Sequence, residues 1–98
     1  MSCKQDNASE HEVGPIKYRR MVFPGVGDRI DQHTHDFPHA TFCHKGRLLV
    51  YLDGASRVLD EGEWIDVPAE AQHAIVGLVA PSEGYCVFVN RGTDRDME

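Results

Sequence analysis

The sequence predicts an all-β domain, a sandwich or barrel of short strands. Three observations carry that expectation. Apolar or alternating runs recur roughly every 8–12 residues. Turn-forming residues stand between the runs. No window of about 11 residues or more shows an apolar stripe of helical period, so no long helix is expected.

The predicted strands are 16–23, 29–35, 39–45, 47–53, 56–59, 63–67, 73–79 and 85–90. They are separated by Pro24-Gly25-Val26-Gly27, Asp36-Phe37-Pro38, Gly46, Asp53-Gly54, Glu61-Gly62, Pro68 and Pro81-Ser82-Glu83-Gly84. Asp53-Gly54 gives the clearest hairpin, because both residues tolerate the positive φ of a type I′ turn. Residues 1–14 are polar, mixed in charge and aperiodic, so they predict a loosely attached tail. Residues 15–91 are the expected barrel and 92–98 a second tail.

The 98 residues allow one domain. A core of that size needs help from a closed sheet, a metal or a partner subunit. Ten Lys+Arg against sixteen Asp+Glu give a net charge of −6. Such a surface has no basic patch for nucleic acid or anionic membrane, so neither is an expected partner. The apolar runs are strand-length, so no transmembrane helix is expected. The N-terminus has no apolar core of a secretory signal, which makes cytoplasmic location the expectation. Three cysteines without C-x-x-C spacing argue against a disulfide framework.

His33, His35, His39 and His73 carry most of the chemical content. Side chains two apart on a strand share a face, about 7 Å apart, within reach of one ion bound at about 2.1 Å per bond. Pro38 turns the chain, since proline leaves a central ladder and restricts the residue before it. The returning strand then brings His39 back beside the pair. By alternation His44 faces outward, and His11 lies in the tail.

Residues 27–46, GDRIDQHTHDFPHATFCHKG, resemble the first cupin motif, G-x5-H-x-H-x3,4-E-x6-G. Residues 62–73, GEWIDVPAEAQH, resemble the second, G-x5-P-x-G-x2-H-x3-N. The resemblance spans about residues 16–90 and implies a jelly-roll barrel, the double-stranded β-helix of the cupins. It implies that His33, His35 and His73 are metal ligands. His39 stands where the motif usually has glutamate. Glu70 replaces the motif glycine, so that turn is expected to differ, and Gly77 replaces the asparagine.

Four neutral imidazoles would leave the full charge of a divalent transition ion (Fe, Ni, Zn, Cu or Mn) in the site, favouring an anionic or enolate-like substrate. On an octahedral ion two positions stay open, enough for a chelating substrate. Asp31, Asp36, Thr41 and Gln72 are the sequence neighbours able to orient the rings. Phe23, Thr41, Cys43, Val50, Trp64, Ile75 and Phe88 are the expected inward-facing pocket residues. For a cationic clamp on an anion the strands are expected to offer Arg20, Arg29, Arg47 and Arg57, most of them facing solvent by alternation. The first functional expectation is therefore a metal-dependent, dioxygenase-like enzyme acting on a small molecule. The rivals are a non-catalytic metal- or ligand-binding module and a non-redox isomerase or lyase. A homodimer is expected, because the core is small.

Overall fold

The computed structural model describes residues 8–89, which form nine strands, all paired antiparallel, with no helix among them. In chain order they are β1 (Ala8–Val13), β2 (Ile16–Phe23), β3 (Arg29–His33), β4 (His39–Lys45), β5 (Arg47–Leu52), β6 (Ala55–Asp60), β7 (Trp64–Val67), β8 (His73–Gly77) and β9 (Ser82–Val89). One sheet has the order β1-β2-β9-β4-β7 and the other β3-β8-β5-β6. Met21, Phe23 and Cys43 of the first sheet bury against Ile30, Leu48, Val50, Leu59 and Ile75 of the second. That apolar layer holds the sheets face to face, by excluding water from the inner side of each strand.

The turns follow from residue type. Asp53 (φ 48°) and Gly54 (φ 87°) both take the positive φ of the predicted β5–β6 turn. Gly46, at φ 81°, makes the abrupt change from β4 to β5. Glu70 stands in place of the motif glycine, yet its φ is 68°, so the backbone keeps a conformation that favours glycine. The expectation of a changed turn is thus answered by strain at Glu70. Glu70→Gly should raise stability by roughly 1 kcal/mol, or about 4–8 °C in Tm. An unchanged or lower melting temperature would contradict this.

Several expectations are corrected. Residues 8–13 form β1 and pair with β2 from Ala8↔Met21 to Val13↔Ile16, so this part of the expected tail is sheet. Both faces of β1 are largely exposed, which is why it shows no apolar period. The rest of the expected tails, 1–7 and 92–98, lies outside the described residues. The Pro81-Ser82-Glu83-Gly84 turn signal is mostly strand, because β9 starts at Ser82. Ser82 is buried there and donates its hydroxyl to the Val79 carbonyl at 2.7 Å. Trp64 is 52% exposed and outside the core. On the short β7, Ile65 and Val67 take the inward positions, so alternation turns Trp64 out. His44 is exposed, as its position in β4 required.

One irregularity positions the site. Arg29↔Val76 and Ile30↔Ile75 are regular partners, but β3 then carries one extra residue and His33 faces His73. Ile30 and His33 are an odd number apart, so in a regular strand they would face opposite ways. The bulge puts both on the inner side.

Candidate metal centre

Four imidazoles meet at one end of the space between the sheets. His33 ends β3 and His73 begins β8; set opposite each other by the bulge, their ring centroids are 4.2 Å apart. His35 lies just past the end of β3, and its carbonyl accepts the Glu70 amide at 2.7 Å. Its ring meets His33 edge-on at 4.7 Å and His73 at 5.3 Å. His39 opens β4 directly after Pro38, with centroids 5.4 Å from His35 and 5.0 Å from His73.

Ring orientation is set by main chain. His33 Nδ1 donates to the Asp31 carbonyl at 2.8 Å, and His73 Nδ1 to the Ala71 carbonyl at 3.0 Å. A carbonyl only accepts, so each Nδ1 carries the proton and each Nε2 keeps its lone pair. The side chains expected to do this do other things. The Asp31 carboxylate pairs with Arg29, Gln72 with Gln32, and Thr41 lies against the Cys86 thiol at 3.4 Å. Asp36 is exposed.

The donor set fits a metal ion. One nitrogen each from His33, His35 and His73 falls within 4.8 Å of the others. His33 Nε2 and His35 Nε2 are 3.1 Å apart. Two ligands about 2.1 Å from one ion stand roughly 3.0–3.4 Å apart, depending on the angle between them. His73 Nε2 and both nitrogens of His39 are buried and find no hydrogen-bond partner among the described residues. Buried polar nitrogens are costly when unsatisfied, and an ion accepts such lone pairs.

Burial keeps the rings neutral, as ligation requires. Desolvation, then repulsion from His33 and His73, pushes His35 down to about 4. Desolvation, then repulsion from His73 and His35, pushes His39 down to about 3. Desolvation also lowers His73, partly offset by its bond to Ala71. The unfolded chain takes up these protons near pH 6.5, whereas the folded chain refuses them until far lower pH. Stability of metal-free protein is therefore fully present above about pH 6.5 and falls steadily towards pH 4. Each histidine contributes up to about 1.4 kcal/mol per pH unit to that slope. Urea midpoints at pH 7.5, 6 and 5 should decline in that order, and equal midpoints would contradict it.

Above the rings lies a cavity of about 400 Å³, counting its open mouth. His33, His35 and His39 line it, with Ile75 and Phe88 from the expected pocket set. Phe23, Thr41, Cys43 and Val50 face inward but are packed in the core, not on the cavity. Alternation fixes a face, not a depth: Cys43 lies four residues, or about 13 Å, along β4 from His39. Sequence reasoning missed Glu10, Arg19, Met21, Ile30, Phe37 and Cys86 as lining residues. Arg19 and Met21 share the parity of Phe23, and Cys86 that of Phe88, so alternation contained the signal. Desolvation raises the Cys86 thiol to about 11, which makes it an inert wall group rather than a nucleophile. Arg20, Arg29 and Arg47 pair with Glu83, Asp31 and Asp60 away from the cavity.

No family model matches the chain. Solved structures do. A cupin 2 conserved barrel domain protein from Salinispora arenicola CNS-205 superposes with a TM-score of 0.76 at 21% identity, covering 95% of this chain and 86% of that one. A cupin superfamily protein from Desulfitobacterium hafniense DCB-2 gives 0.71 at 13% identity, covering 91% and 83%.

The chain has the cupin fold.

KdgF from Halomonas sp. gives a TM-score of 0.77 at 20% identity, over 94% of this chain and 86% of that one. Quercetin 2,3-dioxygenase from Bacillus subtilis (strain 168) is 32% identical over 65 residues, 56% of this chain. The chain spans only 19% of that relative's length. Within the cupin barrel, Gly77 replaces the motif asparagine for a local reason. A Cβ there would stand 2.8 Å from the Phe23 Cβ, so the Phe23 ring fills the space a side chain would need. No helix among the described residues is long and apolar enough to cross a membrane.

Proposed function

We propose that this chain is a metal-dependent enzyme of oxygenase type, acting on a small chelating, anionic substrate. His33, His35, His39 and His73 would hold one divalent transition ion. The observation that carries the proposal is the set of buried nitrogens on His39 and His73 with no hydrogen-bond partner among the described residues, beside a cavity open to solvent. Such an ion supplies Lewis acidity and, when it is redox-active, a path for electrons between substrate and dioxygen.

The chain's own residues do the rest. The carbonyls of Asp31 and Ala71 hold two rings with Nε2 facing the centre. With no carboxylate among the four, the site favours an anionic donor. Phe37 stacks on His35 at 4.9 Å and 20° and packs on Phe88 at 4.6 Å, a wall that excludes water and accepts a flat, unsaturated body. The partial similarity to a dioxygenase supports the oxygenase reading.

Elemental analysis of the purified protein, followed by oxygen uptake with β-diketones, flavonols and thiols, tests this. Expected are a bound redox metal and uptake with at least one of these compounds. Absence of the metal, or of uptake with all of them, would count against it. Turnover retained without oxygen, on Zn2+ or Ni2+, would reassign the site to a non-redox isomerase or lyase.

A further inference from the structure

The cavity carries one cationic side chain beside the neutral histidines. On β2 the inward parity runs from Phe23 through Met21 to Arg19, and the last of these reaches the cavity wall. The charge of Arg19 is felt by both His35 and Cys86, which line the same cavity. Glu10, its register partner on β1, also lines the cavity and is exposed, which marks this side as the mouth. Arg20, Arg29 and Arg47 are committed to carboxylates on the outer surface. Besides Arg19 and the imidazoles the wall is largely apolar and partly aromatic, with Ile30, Phe37 and Phe88 in it.

The cavity therefore combines a guanidinium, imidazoles with free lone pairs and an apolar, partly aromatic wall. We propose that Arg19 is a specificity-determining residue, receiving a carboxylate at the far end of an unsaturated or aromatic substrate whose near end meets the histidines. For the near end, this rests on the metal-centre proposal above. A guanidinium offers five N–H donors in a planar fork matched to a carboxylate. Arg19 already takes part in an interaction within the protein, so a ligand carboxylate shares its donors or displaces that contact. Being half-buried at an apolar wall, the pair would be less screened than a surface ion pair. Glu10 sets the threshold: its negative charge at the mouth opposes an incoming anion.

Protocatechuate and catechol make the test, because they share ring and chelating diol and differ by one carboxylate. Each is titrated calorimetrically into the full chain, loaded with Co2+ and again metal-free. The wild type should bind protocatechuate about tenfold or more tightly than catechol, the effect of a charge-assisted pair. Arg19→Met should bring the two probes within about twofold, mainly by weakening protocatechuate, and Arg19→Lys should keep part of the preference. Glu10→Gln should widen the preference. Equal affinities in the wild type, a ratio indifferent to Arg19→Met, or no binding of either probe would overturn the proposal. The metal centre fails separately. Were it absent, Co2+ would change neither affinity while the ratio still followed Arg19. Were Arg19 wrongly assigned, Co2+ would tighten both probes while the ratio ignored the substitution.

Discussion

His73→Ala is expected to leave the purified protein without its divalent metal and to abolish the rise in melting temperature that added metal gives the wild type. His73 is 1% exposed and sits between the other rings, near His33, His35 and His39 alike. Its Nε2 has no other partner among the described residues, and its Nδ1 is tied to Ala71. The linkage sets the scale: metal at a hundred times its Kd stabilises the native state by about 2.7 kcal/mol. A variant unable to bind loses all of that. His39→Ala should weaken binding less, because three imidazoles still converge. Elemental analysis and paired melts with and without Co2+ separate the two variants. Unchanged metal content in His39→Ala would reduce the site to three ligands, and retained metal in His73→Ala would take His73 out of the ligand set.

Gly46→Ala should destabilise the fold by roughly 3 kcal/mol or more, a drop of about 12 °C or greater in a domain of this size. Two causes add. Gly46 has φ 81°, where an L side chain is strained. A Cβ there would also stand 2.7 Å from the Pro81 carbonyl oxygen and 3.0 Å from the Ser82 Cα, and would meet the Ser82 hydroxyl. These are main-chain atoms of the turn entering β9 and cannot swing aside like a surface side chain. The Ser82 hydroxyl is held there by Val79 and by the Arg47 amide. Gly54→Ala is the control. It has a similar φ of 87° but nothing within 4 Å, so only the strain of about 1 kcal/mol is expected. Urea unfolding of both variants measures the difference, and equal losses would mean that the contact with β9 contributes nothing.

The parts of this fold legible in sequence are those where one residue type decides one conformation. Asp53-Gly54 has few alternatives to a tight hairpin, and Pro38 has few to a turn. β2 and β4 begin and end where their alternation does. Legibility failed where pairing decides. β1 exists because its main chain completes the edge of β2, while its side chains stay in water, so no hydropathy pattern marks it. Trp64 was misplaced because a four-residue strand offers too few alternations to fix its phase. At the site, the histidines were marked by spacing, but the bulge that aims His33 involves Asp31 and Gln32, which carry no sign of it. Arg19 was hidden for the opposite reason: its parity was readable from Phe23, but a charged side chain directed at an apolar wall contradicts the pattern used to read the strand.

The main-chain bond from the Glu70 amide to the His35 carbonyl joins two segments 35 residues apart in the chain. It crosses from the turn of one motif to a histidine of the other. That amide can trade its proton for deuterium only when the bond opens, so it reports the parting of the two segments. An ion gripping both His35 and His73 would slow that opening, because the segments could then separate only by giving up a ligand. Occupancy at the centre would thus be transcribed into the exchange rate of one backbone proton, on a residue outside the four histidines.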